Sequence, residues 1–330
     1  MKKALVIGID DYPDGNELSG CVNDAISVGT ILATNGDGAP NFDVRTLTSN
    51  EETVDCQALD AAISSLFSDT AEIALFYFAG HGLINSAGEG YIVAQDGKPG
   101  AWGLPLSEIL TRANIAHPNI TSSVIILDSC NSGQLGEVPS LGNAGNVSAI
   151  GDGVTILTAC HRSQTASEFN GHGLFTGIMI DSLSGSAADI CGRITPASVY
   201  SSVDQILGTW DQRPIYKANV QSFITLREVA PKVPLEILRK LPVYFEEPTN
   251  QFDLDPSFEP DRENVPEEFK KVPVSEENAA VFKELQLCNR HGLVVPVDAD
   301  HMYYAAINST GCKLTALGAH YRKQAELGRI

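Results

Sequence analysis

The chain has 330 residues, of which 43% are hydrophobic and 19% charged, a balance typical of a globular protein with a substantial buried core. The net charge of −19 is concentrated in residues 1–226, which carry 24 acidic against 9 basic side chains, and this argues against nucleic acid as a partner. No apolar run is long enough for a membrane helix, and the N-terminal MKKALVIGIDDYP lacks the features of a signal peptide.

The seven cysteines are odd in number and widely scattered, so they do not form a disulfide framework. No C-x-x-C pair occurs, and no cysteine has histidine neighbours at the spacing of a structural zinc site. These features predict free thiols, a cytoplasmic location and no bound metal.

Predicted strands and helices alternate along the first two-thirds of the chain. Continuous apolar runs predict strands, and apolar residues at helical spacing predict the helices between them. In chain order we predict a strand at 3–10, a helix at 21–33, a strand at 42–48, a helix at 54–68, a strand at 72–80, a helix at 105–113, strands at 123–130 and 153–160, and a helix at 174–185.

This alternation predicts an α/β fold with a mostly parallel sheet flanked by helices on both faces. Strands covered on both faces read as unbroken apolar runs, as the stretch ALFYF does. In such sheets ligands bind beyond the carboxyl ends of the strands.

The remainder of the chain differs in composition. Residues 227–274 are rich in proline and acid, which predicts an extended linker arm after a first domain at 1–226. Residues 275–330 predict a helix, a short strand and a second helix, a small α+β domain with a winged-helix-like end. Six acidic and six basic residues make this domain neutral overall, so we expect it to bind a protein rather than DNA.

Two predicted strands end in residues suited to nucleophilic catalysis. FYFAGHG ends in His81 and VIILDSC ends in Cys130, 49 residues later. A lone histidine or cysteine at a strand end is usually structural. When a histidine and a cysteine both stand at strand ends in one sheet, they predict a dyad in which the histidine activates the thiol.

The glycines around these residues fit the same chemistry. Gly82 allows close approach of the backbone to a substrate, and its N–H together with that of Cys130 could donate to a developing oxyanion. Small residues after Cys130, in CNSG, suit a tight turn from strand to helix.

Seven segments together resemble the caspase-like cysteine peptidases of the metacaspase type, a group common in bacteria. They appear in the family's order over residues 1–226: ALVIGIDDYP, LSGCVNDA, FYFAGHG, ILDSCNSG, TACHRSQTASE, HGLFTG and QRPIY.

The resemblance implies that His81 is the general acid/base and Cys130 the nucleophile. It also implies cleavage after Arg or Lys, with Asp24 and Asp128 binding the side chain of the residue before the cleaved bond, the P1 residue. A buried cation needs paired carboxylates around it, which agrees with this assignment. We expect Cys21 and Cys160 to line the same pocket.

Two positions depart from the family pattern. Ala79 stands where the family commonly has serine, and Asn131 where it commonly has histidine. The loss of a hydroxyl at Ala79 affects the fine P1 preference rather than the dyad, and we expect Asn131 to face away from the chemistry.

The resemblance implies that the chemistry needs no cofactor, and it suggests that Ca²⁺ activates the protein. However, DLDPSFEPDREN lacks the spacing of a calcium loop. The resemblance further suggests an activator protein bound through residues 275–330 and a bacterial defence or cell-death pathway. The alternative is a non-catalytic scaffold on the same fold, against which the retained dyad and aspartates argue.

Overall fold

The computed structural model describes residues 1–13, 15–129, 137–138, 147–148, 150–159, 168–169, 172–207, 214–262 and 267–330. Three predicted positions, Cys130, Asn131 and Cys160, lie outside the described residues. The chain folds as two compact units, Met1–Ala230 and Pro231–Ile330.

The first unit contains strands and helices close to the predicted ones. Its strands are β1 Lys2–Gly8, β2 Phe42–Thr48, β3 Ala71–Ala79, β4 Gly82–Ile84, β5 Gly90–Lys98, β6 Ala101–Pro105, β7 Ile120–Asp128, β8 Glu137–Val138, β9 Val147–Ser148, β10 Val154–Thr158, β11 Glu168–Phe169, β12 His172–Gly173, β13 Arg193–Ile194, β14 Ile215–Asn219 and β15 Arg227–Glu228. Its helices are α1 Cys21–Ala33, α2 Cys56–Leu66, α3 Leu106–Ala116, α4 Leu174–Asp181, which runs into a π-helical turn at Ser182–Ser186, and α5 Pro196–Leu207.

A six-stranded sheet in the order β14-β10-β7-β3-β1-β2 forms the centre of this unit. Five of its strands, β1, β2, β3, β7 and β10, are parallel, and β14 joins β10 antiparallel. The predicted mostly parallel sheet is confirmed. Its central strands are buried on both faces, which explains their unbroken apolar runs.

Two hydrophobic cores lie on opposite faces of the sheet. Leu59 and Ile63 of α2 and Ile109 of α3 pack on one face. Val28 of α1 and Phe175 of α4 pack on the other, together with α5. The flanking helices thus leave the carboxyl edge of the sheet as the place where loops converge.

Sequence patterns missed several elements of this unit. The antiparallel sheet β4-β5-β6 lies between His81 and α3, and its strands alternate or are glycine-interrupted rather than continuously apolar. Helix α5 and the edge strand β14 were also not predicted, because short amphipathic segments carry a weak periodic signal.

The second unit has strands β16 Gln251–Asp253, β17 Val294–Val297 and β18 Gly311–Leu314, with helices α6 Leu235–Tyr244, α7 Glu267–Lys270, α8 Glu276–Arg290, α9 Met302–Ile307 and α10 Ala316–Glu326, and a 3-10 turn at Pro256–Phe258. The strands form one antiparallel sheet in the order β16-β18-β17. The winged-helix likeness of residues 275–330 stays a prediction.

The structure corrects one expectation about the linker arm. Residues 235–258 do not form an extended connector, because β16 pairs with β18 and Leu238, Leu241 and Phe245 are buried in the core of the second unit. High proline and acid content concealed these few apolar anchors. The arm therefore contributes structure to the same unit as residues 275–330.

Candidate active site

The predicted dyad positions follow two neighbouring strands that are in register. Ala79, the last residue of β3, pairs with Asp128, the last residue of β7. His81 lies two residues beyond Ala79, at the carboxyl edge of the sheet, and in sequence Cys130 follows Asp128 by two residues. Cys130 itself lies outside the described residues, so its side-chain geometry stays a prediction.

His81 is held by the connection between β1 and α1. Its Nε2 lies 2.7 Å from the backbone oxygen of Asn16, and a carbonyl oxygen only accepts, so Nε2 carries the hydrogen. In a neutral imidazole this leaves Nδ1 as the basic nitrogen. The arrangement supplies a base with a defined tautomer.

Tyr12 fixes the backbone at His81. The His81 N–H donates to the Tyr12 hydroxyl across 3.0 Å, and that hydroxyl donates to the Val93 carbonyl across 3.2 Å. The Tyr12 and His81 rings are 4.6 Å apart. Gly80 permits this approach, because a Cβ at that position would lie 2.6 Å from the Tyr12 hydroxyl oxygen.

Gly82 is the first residue of β4 and pairs with Ile92 of β5. This pairing holds the backbone immediately after His81 in extended form. The assignment of the Gly82 and Cys130 N–H groups to an oxyanion hole stays a prediction.

Asp24 and Asp128 are both buried, with 2% and 7% of their surfaces exposed. They converge at Gly173, where an added Cβ would lie 2.3 Å from Oδ2 of Asp128 and 3.2 Å from Oδ2 of Asp24. Helix α1 carries one carboxylate and the end of β7 the other. The structure thus brings the two predicted pocket aspartates together, beside the strand end that precedes Cys130.

The Asp24 carboxylate accepts hydrogen bonds at both oxygens. The Gly173 N–H donates to Oδ2 across 2.9 Å, and Nδ1 of His172 lies 2.6 Å from Oδ1. Burial raises the pKa of Asp24 to about 6, and the bonds from Gly173 and His172 oppose that rise. The nearby Asp10 adds to it. Asp24 is therefore ionised above about pH 6.

A chain of hydroxyls supports Asp128. The Thr176 hydroxyl donates to Oδ2 of Asp128 across 2.7 Å, and the Tyr77 hydroxyl lies 2.7 Å from the Thr176 oxygen. Since Thr176 uses its hydrogen on Asp128, Tyr77 donates to Thr176. Burial together with the two aspartates raises the pKa of Tyr77, which keeps it a donor.

Cys21 lies on α1 one turn before Asp24 and is buried. Burial, and then the charges of Asp10, Asp128 and Asp24, raise the pKa of its thiol far above the usual value. The thiol stays protonated at neutral pH, so Cys21 fits a pocket wall and not a second nucleophile.

Asp10 is a site residue that the sequence reasoning missed. Its carboxylate accepts from the Cys21 N–H at 2.8 Å and the Val22 N–H at 3.2 Å, which caps the first turn of α1. Gly20 at the helix start has no side chain to do this. Asp10 precedes Cys21 by 11 residues, so no local capping pattern could have indicated this contact.

Thr176 and His172 were missed as partners of the pocket aspartates, although both lie in the HGLFTG segment. No local pattern links a residue at the start of α4 to a carboxylate on α1, and only the packing of α1 against α4 reveals the contact.

Within the described parts of the chain, no three His, Cys, Asp or Glu side chains form a group that could hold a metal ion. Over the same residues, no helix has the length and apolar character needed to cross a membrane.

The sheet order, the flanking helices and the site at the carboxyl edge define a caspase-like α/β protein. The caspase domain family matches residues 1–222, and the chain belongs to that family, whose members are cysteine proteases. A search of curated proteins found no match.

A solved caspase structure shows the same fold at low sequence identity. Caspase-1 from Spodoptera frugiperda superposes with a TM-score of 0.51 at 11% identity, over 69% of this chain and 90% of that one. Protein GSU0716 from Geobacter sulfurreducens gives a TM-score of 0.49 at 15% identity, over 70% of this chain and 97% of that one.

Proposed function

We propose that the protein is a cysteine endopeptidase that cleaves after Arg or Lys through a His81–Cys130 dyad. The observation that carries the proposal is the buried pair Asp24 and Asp128 around Gly173, at the sheet edge where β7 ends. Two buried carboxylates at one place suit a cationic ligand, and a P1 guanidinium or ammonium group is such a ligand.

The pair favours a basic over an acidic P1 side chain. A P1 aspartate would add a third carboxylate to a buried site that already contains two. Like charges in contact repel strongly where the dielectric constant is low. The large negative charge of residues 1–226 would also steer cationic segments toward the site.

The chemistry begins with proton transfer from the Cys130 thiol to Nδ1 of His81, the nitrogen left basic by the Asn16 contact. The thiolate attacks the P1 carbonyl carbon, and the N–H groups of Gly82 and Cys130 donate to the oxyanion. The imidazolium returns its proton to the leaving amine as the C–N bond breaks. A thioester remains on Cys130.

Water completes the cycle. His81 removes a proton from the water as its oxygen attacks the thioester carbonyl, and the second tetrahedral intermediate collapses to a carboxylic acid and the free thiol. These reaction steps need no cofactor, and we propose Ca²⁺ only as a candidate activator. We further propose that the protein is cytoplasmic and that residues 275–330, within the second unit, bind an activator in a bacterial defence or cell-death pathway.

Hydrolysis of fluorogenic peptides with Arg, Lys or Asp at P1 tests the proposal, with and without Ca²⁺. We expect Arg and Lys peptides to be cleaved by the wild type and not by Cys130→Ala or His81→Ala. The variants Asp24→Asn and Asp128→Asn should cleave the P1 Arg and Lys peptides poorly, because each substitution raises KM for these peptides. Cleavage of the Asp peptide instead would overturn the pocket assignment, and inactivity in all conditions with partner present would favour the scaffold.

A further inference from the structure

His172 is a polar side chain at the acidic pocket that the proposed chemistry does not use. It forms β12 with Gly173, immediately before α4, and β12 packs against α1. Its Nδ1 contacts Oδ1 of Asp24 at 2.6 Å. The His172 side chain is 32% exposed, whereas that of Asp24 is 2% exposed, so His172 lies between the buried carboxylate and solvent.

The Asp24 carboxylate specifies the role of one nitrogen of His172. An ionised carboxylate only accepts, so Nδ1 of His172 donates its hydrogen to Oδ1 of Asp24. Nδ2 of Asn23 lies 3.1 Å from Nε2 of His172 and 3.3 Å from Nδ1. An atom nearly equidistant from both ring nitrogens lies over the face of the ring, so the Asn23 amide packs on the imidazole.

The hydrogen bond from His172 has a particular advantage in a pocket for cations. It stabilises the ionised form of the Asp24 carboxylate, which is the form that binds a guanidinium or ammonium group.

We propose that His172 is a positioning residue that holds Asp24 ionised and oriented for the P1 cation by donating Nδ1–H. The proposal rests on the function proposed above, since it assigns Asp24 to P1 recognition. It makes His172 a determinant of basic specificity beside the two aspartates.

The surroundings of Asp24 show why such a donor matters. Burial raises the pKa of Asp24 to about 6, and among the groups that oppose this rise His172 follows only the Gly173 N–H. Loss of the His172 bond would move the pKa further toward neutral, so that the carboxyl would be partly protonated at pH 7.

The titratable groups on the elements packed around His172 are Asp24 and Cys21 of α1, Asp128 at the end of β7 and Asp10 before α1. Burial and the charge of Asp10 raise the pKa of Asp24. Acidification should therefore weaken P1 binding by protonating Asp24.

A direct test measures the carboxyl titration of Asp24 in the full chain, by NMR of protein labelled with 13C at aspartate carboxyl carbons. A Cys130→Ala background prevents self-digestion. We expect His172→Ala to raise the pKa of Asp24 by about one unit, and His172→Gln, whose amide can still donate, to raise it less. An unchanged Asp24 titration in both variants would overturn the proposal, and His117→Ala, at the other end of the sheet, is the matched histidine control.

A kinetic test links this titration to specificity. For a P1 Arg peptide, His172→Ala should move the acidic limb of kcat/KM to higher pH by the same amount as the NMR shift, mainly through KM. A merely structural role would lower thermal stability without moving the limb, and a shifted Asp24 with an unmoved limb would also contradict the proposal. If the wild type cleaves no basic peptide, the proposed function fails, while the NMR titration still decides whether His172 keeps Asp24 ionised.

Discussion

His81 donates its Nε2 hydrogen to the backbone oxygen of Asn16 across 2.7 Å. Because the acceptor is a main-chain atom, the Asn16 side chain is not needed for this contact. The tautomer of the proposed base is therefore set by the path of the β1–α1 connection, and Tyr12 in the same connection holds the backbone of His81.

This relationship predicts opposite outcomes for two substitutions in one loop. Asn16→Ala should leave kcat within about twofold, whereas Tyr12→Phe should lower kcat about tenfold, the equivalent of about 1.4 kcal/mol in positioning the imidazole. Tyr12→Phe also leaves the His81 N–H and the Val93 carbonyl without their partner, which should lower the unfolding free energy by about 1–3 kcal/mol. Steady-state kinetics measures kcat and thermal denaturation measures stability, with Tyr200→Phe on α5 as the control. Equal kcat values for Asn16→Ala and Tyr12→Phe would refute this account of His81.

Gly173→Ala should destroy the acidic pocket while leaving the backbone path open. The φ of −59° at Gly173 suits alanine, but the new Cβ would lie 2.3 Å from Oδ2 of Asp128. We expect cleavage of P1 Arg and Lys peptides to fall at least about a hundredfold, with a stability loss of about 1–3 kcal/mol from overpacking.

Gly177→Ala, in the helix that begins just after Gly173, is the matched control. The added Cβ would have Cβ of His172 as its nearest neighbour at 3.9 Å, which is an ordinary contact. Alanine also favours a helix by about 1 kcal/mol over glycine. This variant should keep full activity and match or exceed the wild-type melting temperature. A similar loss of activity in both variants would show that α4, and not the aspartate pair, is being disturbed.

Asp24→Asn should exchange specificity for stability. The pKa of Asp24 is raised to about 6, so the unfolded carboxyl ionises first, and the stability that its proton contributes is lost as pH rises from about 4 to 6. At pH 8 the wild type therefore contains a costly buried anion. We expect the variant to be more stable than the wild type by about 1–2 kcal/mol at pH 8. Removal of the buried charge contributes up to about 3 kcal/mol, and the loss of one hydrogen bond reduces this gain.

The difference should disappear below pH 4, where the wild-type carboxyl is protonated in both states. Urea denaturation at pH 4 and pH 8 measures it. A variant that is less stable than the wild type at pH 8 would mean that the ionised Asp24 is not a net cost.

Alkylation distinguishes the two cysteines at the proposed site. Burial and three aspartates raise the pKa of Cys21, so its thiol should resist iodoacetamide at pH 7.5. We expect inactivation to follow modification of Cys130 alone, read by peptide mass spectrometry, and Cys21→Ser to remain active. Inactivation that tracks modification of Cys21 would reverse the assignment.

Self-cleavage, where it occurs, should fall at Lys270–Lys271. Residues 113–161 contain no Lys or Arg, so an enzyme with basic specificity cannot cut there. In the second unit Lys240 lies within α6 and is paired with Glu284, and Arg262 donates to the carbonyls of Pro256, Glu259, Phe269 and Val272. Lys271 is exposed, in a turn after α7.

Mass spectrometry of active enzyme checks this, with Lys270→Gln/Lys271→Gln expected to abolish the cut and Arg239→Gln to leave it. A cut between residues 113 and 161 would contradict basic specificity itself.

The central sheet and the proposed dyad could be predicted from sequence because their signals are local. Unbroken apolar runs such as ALFYF are typical of strands buried on both faces, and parallel strands bring the residues after β3 and β7 to one edge. The second unit was harder, because Leu238, Leu241 and Phe245 anchor a segment whose proline and acid content resembles a linker.

The sequence by itself determined the α/β fold and the identity of the residues proposed for the chemistry, since both depend on patterns within short segments. Only the tertiary structure decided their partners. His172 contacts Asp24 across 148 residues of sequence, and Tyr12 supports His81 across 69. Such contacts depend on how α1, α4 and the β1–α1 connection pack at the edge of the sheet, and packing between distant segments leaves no trace in local periodicity.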